Sequence, residues 1–296
     1  MNRKELFPMN NINLQMYSFG WDSGMTCAEK IACAGKMGYA GVEFAREYAN
    51  PDGSLMPVEE VQAALDAAGI KAVSAHIGFE HMEEHIPYLA KLGVKYVACP
   101  MTDFATKDEA REVAEELNKW GKYAKEYGVT LGYHNHTQEF KVDQGKYLYD
   151  WLIEFSDPEV TAFEVDCGWC SASGASPVDF INSHAGRIKA IHVKENGAVC
   201  GVDEPRSRHA EKQDFHFELD EDGKPIFPPE FLERMKERDK LNVPTGSGIV
   251  DWKAVKAAAD AQCDDVIYVV EREASYGGKS RVECLQEDIN WLKANV

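Results

Sequence analysis

Polar and ionisable side chains close several of the short β-branched and aromatic runs in this sequence. His76 lies at the end of IKAVSAHI, and His134, Asn135 and His136 end VTLGYHNH with Glu139 just beyond. Asp166 ends TAFEVD, His192 and Lys194 end RIKAIHVK, and Glu271 ends VIYVVE. Glu139, Asp166, His192 and Glu271 make a set of three carboxylates and one imidazole. Such a set, mostly hard oxygen with one borderline nitrogen, is a shell for Mn2+, Mg2+, Co2+ or Zn2+, with positions left open for substrate oxygens. Taken singly, each residue has an ordinary reading. An acid after a strand often caps a helix, and a lone histidine is often a satisfied polar group. The coincidence of all four at the ends of successive runs is what points to a site.

Elements of a particular kind must bring those ends together. Eight strand candidates alternate with helical periodicity, at residues 12–19, 41–45, 70–77, 95–100, 129–136, 161–166, 188–194 and 266–271. This alternation is the pattern of βα units around a parallel sheet. The helices carry their own signals. Thr26 and Glu29 make a capping-box pair before residues 27–37, and Gly38 stops that helix. Pro57 opens the second helix and Gly69 closes it. Gly93 precedes strand 4, and Gly128 follows a long helix at 108–127. Eight such repeats with short reversals predict a single (β/α)8 barrel covering residues 1–296, in which strand ends share one catalytic face. One segment breaks the rhythm. Residues 196–250, after strand 7, form an insertion with a short helical pattern at 228–239, and its position predicts a lid over the catalytic face.

Bulk properties narrow the function. The chain has 296 residues, 44% of them hydrophobic, and a formal charge of -18. That charge repels phosphodiester backbones and argues against nucleic acid as a partner. No run of about 18 apolar residues is present to span a bilayer, and MNRKELFPMN lacks a signal-peptide core, so a cytoplasmic protein with no membrane partner is expected. The eight cysteines are scattered and read as reduced thiols. Three local patterns compete with the strand-end site and lose to it. His81-Met-Glu-Glu-His85 matches an inverted zinc-protease spacing but sits among surface-like acids. Cys167-Gly-Trp-Cys170 has redox spacing without a thioredoxin-like setting. Gly277-Gly278-Lys279 reads as a plain loop before a phosphate site.

Nearly the whole chain resembles the xylose-isomerase-like sugar (phosphate) isomerase/epimerase superfamily, which includes inosose dehydratase-type enzymes and catalytic subunits of C-glycoside deglycosidases. The resemblance is carried by NLQMYSF, GYAGVEFA, LGYHNHTQEF, FEVDCGW, IKAIHVKE, GSGIVDW and YVVERE. It implies a metal held by Asp166, His192 and Glu271, with Glu139 as the strand 5 ligand and His134 as the alternative. One divalent ion is expected, Mn2+ first, with Mg2+, Co2+ or Zn2+ open. The implied chemistry removes a proton next to a carbonyl and gives an enediolate. His136 is then the first candidate base, with Glu271, Glu139 and His134 as further acid/base groups. Lys194, His76 and Trp169 would contact or polarise a sugar or keto-sugar, with an unphosphorylated substrate favoured by the acidic surface. An isomerase or epimerase leads. A lyase on the same site, a dehydratase or a deglycosidase of 3-keto-glycosides, is its rival, and a homo-oligomer or a small partner subunit is compatible with either. An AP-endonuclease-like nuclease and a non-catalytic sugar-binding barrel are the remaining alternatives.

Overall fold

The computed structural model describes residues 11–20, 22–211, 241–262 and 265–296, with a few positions between 218 and 236. Eight parallel strands form the centre: β1 (Ile12–Gln15), β2 (Gly41–Phe44), β3 (Lys71–His76), β4 (Tyr96–Cys99), β5 (Thr130–Tyr133), β6 (Phe163–Asp166), β7 (Ile188–Val193) and β8 (Ile267–Val270). Their spatial order is β5-β4-β3-β2-β1-β8-β7-β6. Parallel bridges from Leu131 to Thr161 and from His134 to Glu164 join the two ends, so the sheet closes into a (β/α)8 barrel.

Helices follow the strands on the outside: α1 (Cys27–Met37), α2 (Val58–Ala68), α3 (Met82–Lys91), α4 (Lys107–Glu126), α5 (Leu148–Phe155), α6 (Cys167–Ser173), α7 (Pro177–Ser183), α8 (Trp252–Gln262) and α9 (Arg281–Asn295). The anticipated signals operate. Thr26 and Glu29 cap α1 reciprocally, and Gly38 ends it in a left-handed conformation. Gly69 does the same for α2. Among the described residues, no helix is long and apolar enough to cross a membrane.

Two glycines allow close approaches that the barrel requires. A Cβ at Gly132 on β5 would lie 2.0 Å from Ala162 O and 2.1 Å from the Tyr96 hydroxyl, so the Tyr96 ring fills the barrel interior only because residue 132 has no side chain. A Cβ at Gly168 would lie 2.5 Å from Lys194 O. Gly168 therefore lets the start of α6 press against the end of β7, which brings Asp166 and Lys194 to the same rim.

Two strands differ most from expectation. The run 12–19 is extended only to Gln15; residues Met16–Phe19 turn as a 3-10 helix because the Gln15 side chain accepts from the Tyr17 amide. The run 129–136 is a ladder only over Thr130–Tyr133, with His134 continuing it by a single bridge. Most of the helix expected at 228–239 lies outside the described residues; the described positions Pro229, Leu232, Glu233 and Lys236 are helical.

The described start of the insertion, residues 196–211, packs on α4 and on the loop after β5. The Thr137 hydroxyl donates to Asp203 at 2.7 Å, Lys141 pairs with Glu204, and Arg208 pairs with Glu112 and Glu116 at 3.2 Å each. Its base is pinned by buried Glu195, whose carboxylate accepts from the amides of Gly246 and Val250 and from the Trp252 indole.

Candidate metal centre and active-site pocket

Four side chains from the ends of four strands converge at the catalytic rim. His134, Asp166, His192 and Glu271 each offer a ligand atom, all within 4.8 Å of one another. His192 Nδ1 is 3.2 Å from Glu271 Oε2 and 3.9 Å from Asp166 Oδ2, and His134 Nε2 is 4.0 Å from Asp166 Oδ2. Asp166 is set by local structure. Its Oδ1 caps α6 by accepting from the Trp169 amide at 2.7 Å, and its backbone is stapled to β5 by a reciprocal pair of hydrogen bonds with the Asn135 amide group. Its Oδ2 is buried with no hydrogen-bond partner. A buried carboxylate oxygen without a donor costs free energy unless a cation completes it.

The electrostatics say the same. Burial pushes Asp166 up to about 8, reinforced by Glu271 and opposed by Lys194 and His192. Burial also acts against Glu271, but Lys194 and His192 outweigh it and hold that carboxylate well below its usual range. Lys194 is itself buried. Its ammonium lies 2.8 Å from Glu273, 3.4 Å from Glu271 and 4.5 Å above the Trp169 ring, and these acids keep it charged despite burial. One ammonium thus stands against several acids, an arrangement that a divalent ion would balance. With two imidazoles, two carboxylates and an unsatisfied oxygen among them, the donor set fits a divalent transition metal.

Above this centre opens a pocket of about 440 Å³, lined by Gln15, Tyr17, Arg46, His76, His134, His136 and Glu271 among others. That size falls in the range of small-molecule sites. His136 is half-buried on its wall, with its ring 5.1 Å from that of His134.

Residues 31–295 match the xylose isomerase-like TIM barrel family. The chain belongs to that family. Among curated relatives, an inosose dehydratase of Geobacillus thermodenitrificans is 24% identical over 310 residues, covering 90% of this chain and 92% of that one. A solved sugar phosphate isomerase/epimerase of Parabacteroides distasonis superposes with a TM-score of 0.70 at 21% identity, covering 95% and 96% of the two chains. A crystal structure described as IolI protein with a bound zinc atom superposes with a TM-score of 0.66 at 14% identity over 95% of each chain. The family and the assembled side chains together make this chain an enzyme.

Of the residues singled out from sequence, the barrel brings Asp166, His192 and Glu271 together, with His134 as the fourth member of the group. Glu139 is held apart from it. It sits in the 3-10 turn Gln138–Phe140, where its carboxylate accepts from the Tyr133 hydroxyl at 2.8 Å and from the His136 amide at 2.7 Å. Burial pushes it up to about 7 against those hydrogen bonds. His76 lines the pocket, with Nε2 at 2.8 Å from Glu164. Trp169 is buried behind the pocket wall, under Lys194 and 6.1 Å from the His136 ring.

Sequence reasoning passed over Glu43 and Glu164, both fully buried beneath the rim. A signal existed. Glu164 is two residues before Asp166 on one strand, so alternation puts both on the same face, inside the barrel. Glu43 interrupts an otherwise apolar β2.

The competing patterns dissolve. His85 is buried with Nδ1 at 2.9 Å from the Tyr48 hydroxyl, and His81 stacks on it. Cys167 and Cys170 are buried free thiols, pushed well above the usual thiol range by burial, which disfavours the thiolate that redox chemistry needs. Lys279 is engaged by Glu287, and Gly277 and Gly278 take left-handed conformations before α9.

Proposed function

We propose that the chain is a divalent-metal-dependent sugar isomerase or epimerase that removes a proton from the carbon next to a carbonyl. The observation that carries this reading is the quartet of His134, Asp166, His192 and Glu271, with its unsatisfied Asp166 oxygen, of which His134 and Glu271 line a sugar-sized pocket. His134 takes the strand 5 ligand position in this reading, and Glu139 does not. An ion there supplies a Lewis acid for the substrate carbonyl and for the charge that develops on its oxygen. Mn2+, Co2+ and Zn2+ suit two imidazoles with two carboxylates, while Mg2+ prefers an all-oxygen shell.

The chain's own residues do the rest. His136, on the pocket wall, is positioned to accept the proton from carbon. Its backbone amide is held by Glu139, which fixes the turn that presents the ring. His76 lines the pocket with one nitrogen committed to Glu164, so the ring is fixed for orienting a substrate hydroxyl. Lys194, kept charged by Glu271 and Glu273, supplies positive potential against the developing oxyanion. The described start of the insertion expected to act as a lid is anchored through Asp203 to Thr137, in the turn that carries His136 and Glu139.

A lyase on the same site is the second reading, favoured by the inosose dehydratase relative that aligns along 90% of the chain. The two readings share proton removal and differ in the next step. The proton returns to carbon in an epimerase, whereas a β-substituent leaves in a lyase. Incubating the metal-loaded chain in D2O with ketoses, 3-keto-sugars and inososes, and then recording proton NMR, separates them. Deuterium at the α-carbon with a new epimer or isomer supports the first reading, and loss of a β-substituent supports the second. Failure of every such compound to exchange defeats both.

A further inference from the structure

Beneath the rim quartet lies a second layer of buried acids. The His192 ring faces both layers: Nε2 is 2.6 Å from Glu43 Oε1 and 3.1 Å from Glu164 Oε1, while Nδ1 turns toward Glu271 and Asp166. His134 does the same, with Nδ1 at 2.8 Å from Glu164 Oε1 and Nε2 toward Asp166. Glu43 is locked from the other side by the Gln15 amide at 2.8 Å and the Ser74 hydroxyl at 2.6 Å. Glu164 is held by His76 at 2.8 Å. The carboxylates therefore come from β2 and β6, and they grip two rings from β5 and β7.

We propose that Glu43 and Glu164 are positioning residues for the metal. They hold the N–H of His192 at Nε2 and of His134 at Nδ1, which leaves Nδ1 of His192 and Nε2 of His134 as the lone-pair donors at the rim. A neutral imidazole has one lone pair, and the hydrogen bond made by its other nitrogen decides where that lone pair points. The inference rests on the rim quartet being the metal centre.

An overlapping set, His76, His134, Glu164 and His192, also brings its ligand atoms within 4.8 Å of one another. Distances decide between the two. Ligands about 2.1 Å from a tetrahedral ion lie roughly 3.4 Å apart. The rim separations of 3.2, 3.9 and 4.0 Å bracket that spacing. The inner contacts of His76 and His134 to Glu164, at 2.8 Å each, are hydrogen bonds with no room for an ion between them. The inner acids thus act through the histidines.

The test is Zn2+ affinity of the metal-free full chain, measured by chelator competition on the parent, Glu43→Gln, Glu164→Gln, Asp166→Asn and Glu271→Gln. Imidazole 15N NMR of the metal-free proteins reads the tautomers directly. We expect one Zn2+ per chain in both inner variants, about 10- to 100-fold weaker than in the parent, as loss of an orienting carboxylate usually gives. Mixed tautomers at His192 and His134 are expected with it. The rim variants lose binding. Should Glu43→Gln fail to fold, Ser74→Ala frees one side of Glu43 and is expected to weaken Zn2+ in the same direction. Unchanged affinity and single tautomers in both inner variants would overturn the positioning role while leaving the rim site standing. Loss of all Zn2+ in Glu164→Gln with retention in Glu271→Gln would instead place the ion in the inner set and overturn the rim reading itself.

Discussion

The clearest consequence of Glu139 lying apart from the rim quartet is a pH dependence of stability that one substitution should remove. Burial raises its carboxyl from 4.5 to about 7 even though the Tyr133 hydroxyl and the His136 amide favour the charged form. Folding therefore favours the protonated acid. The stability that this group allows is fully present below pH 4.5 and is lost as pH rises through about 7. A shift of that size, at about 1.4 kcal/mol per pH unit, corresponds to roughly 3 kcal/mol. Glu139→Gln keeps an acceptor for the His136 amide and can donate to the Tyr133 oxygen, so both contacts survive without the titration. Urea unfolding of the metal-free parent and variant should show the variant gaining on the parent between pH 4.5 and 7, then holding a constant lead. Parallel profiles at every pH would refute the assignment of a neutral, buried Glu139. They would leave its role as a rim ligand to be reconsidered.

Three further outcomes come from the same geometry. His136→Gln should retain the metal while solvent deuterium exchange falls about 10²- to 10⁴-fold, the usual contribution of a positioned base, checked by NMR on any substrate that exchanges. Lys194→Met strands Glu271 and Glu273 without their shared cation, so the metal-free chain should lose about 3 kcal/mol, and saturating metal should restore much of it, read by thermal melts with and without Zn2+. Gly132→Ala forces a methyl against Ala162 O and the Tyr96 hydroxyl, so it should destabilise the barrel by about 3 kcal/mol or abolish soluble expression, measured by urea midpoint.

The barrel was legible because its strands are short, largely buried on both faces and separated by helices whose caps, such as Thr26 with Glu29, are local in sequence. The rim was legible for a related reason. A polar residue at the end of a buried strand has few places to go except the catalytic face, which is why Asp166, His192 and Glu271 could be read together, with Glu139 as the fourth member and His134 as its alternative. Glu139 was harder, because the turn at Gln138–Phe140 reverses the chain and aims its carboxylate back at Tyr133, a direction that no spacing rule conveys. Glu43 and Glu164 were passed over because a single acid inside an apolar strand reads as a surface position until the strands are closed into a ring. Closure gives each strand an inside, and alternation then places Gln15, Glu43, Glu164 and His192 in one buried network.

We infer that His134, Asp166, His192 and Glu271 hold one divalent ion. Metal content by mass spectrometry, after loading with Mn2+, Co2+ or Zn2+ and desalting, tests it on the parent and on Asp166→Asn, His192→Ala, Glu271→Gln and Glu139→Gln. About one ion per chain in the parent and in Glu139→Gln, with loss in the other three, is the predicted result. No bound ion in a folded parent, or loss in Glu139→Gln alone, would contradict it.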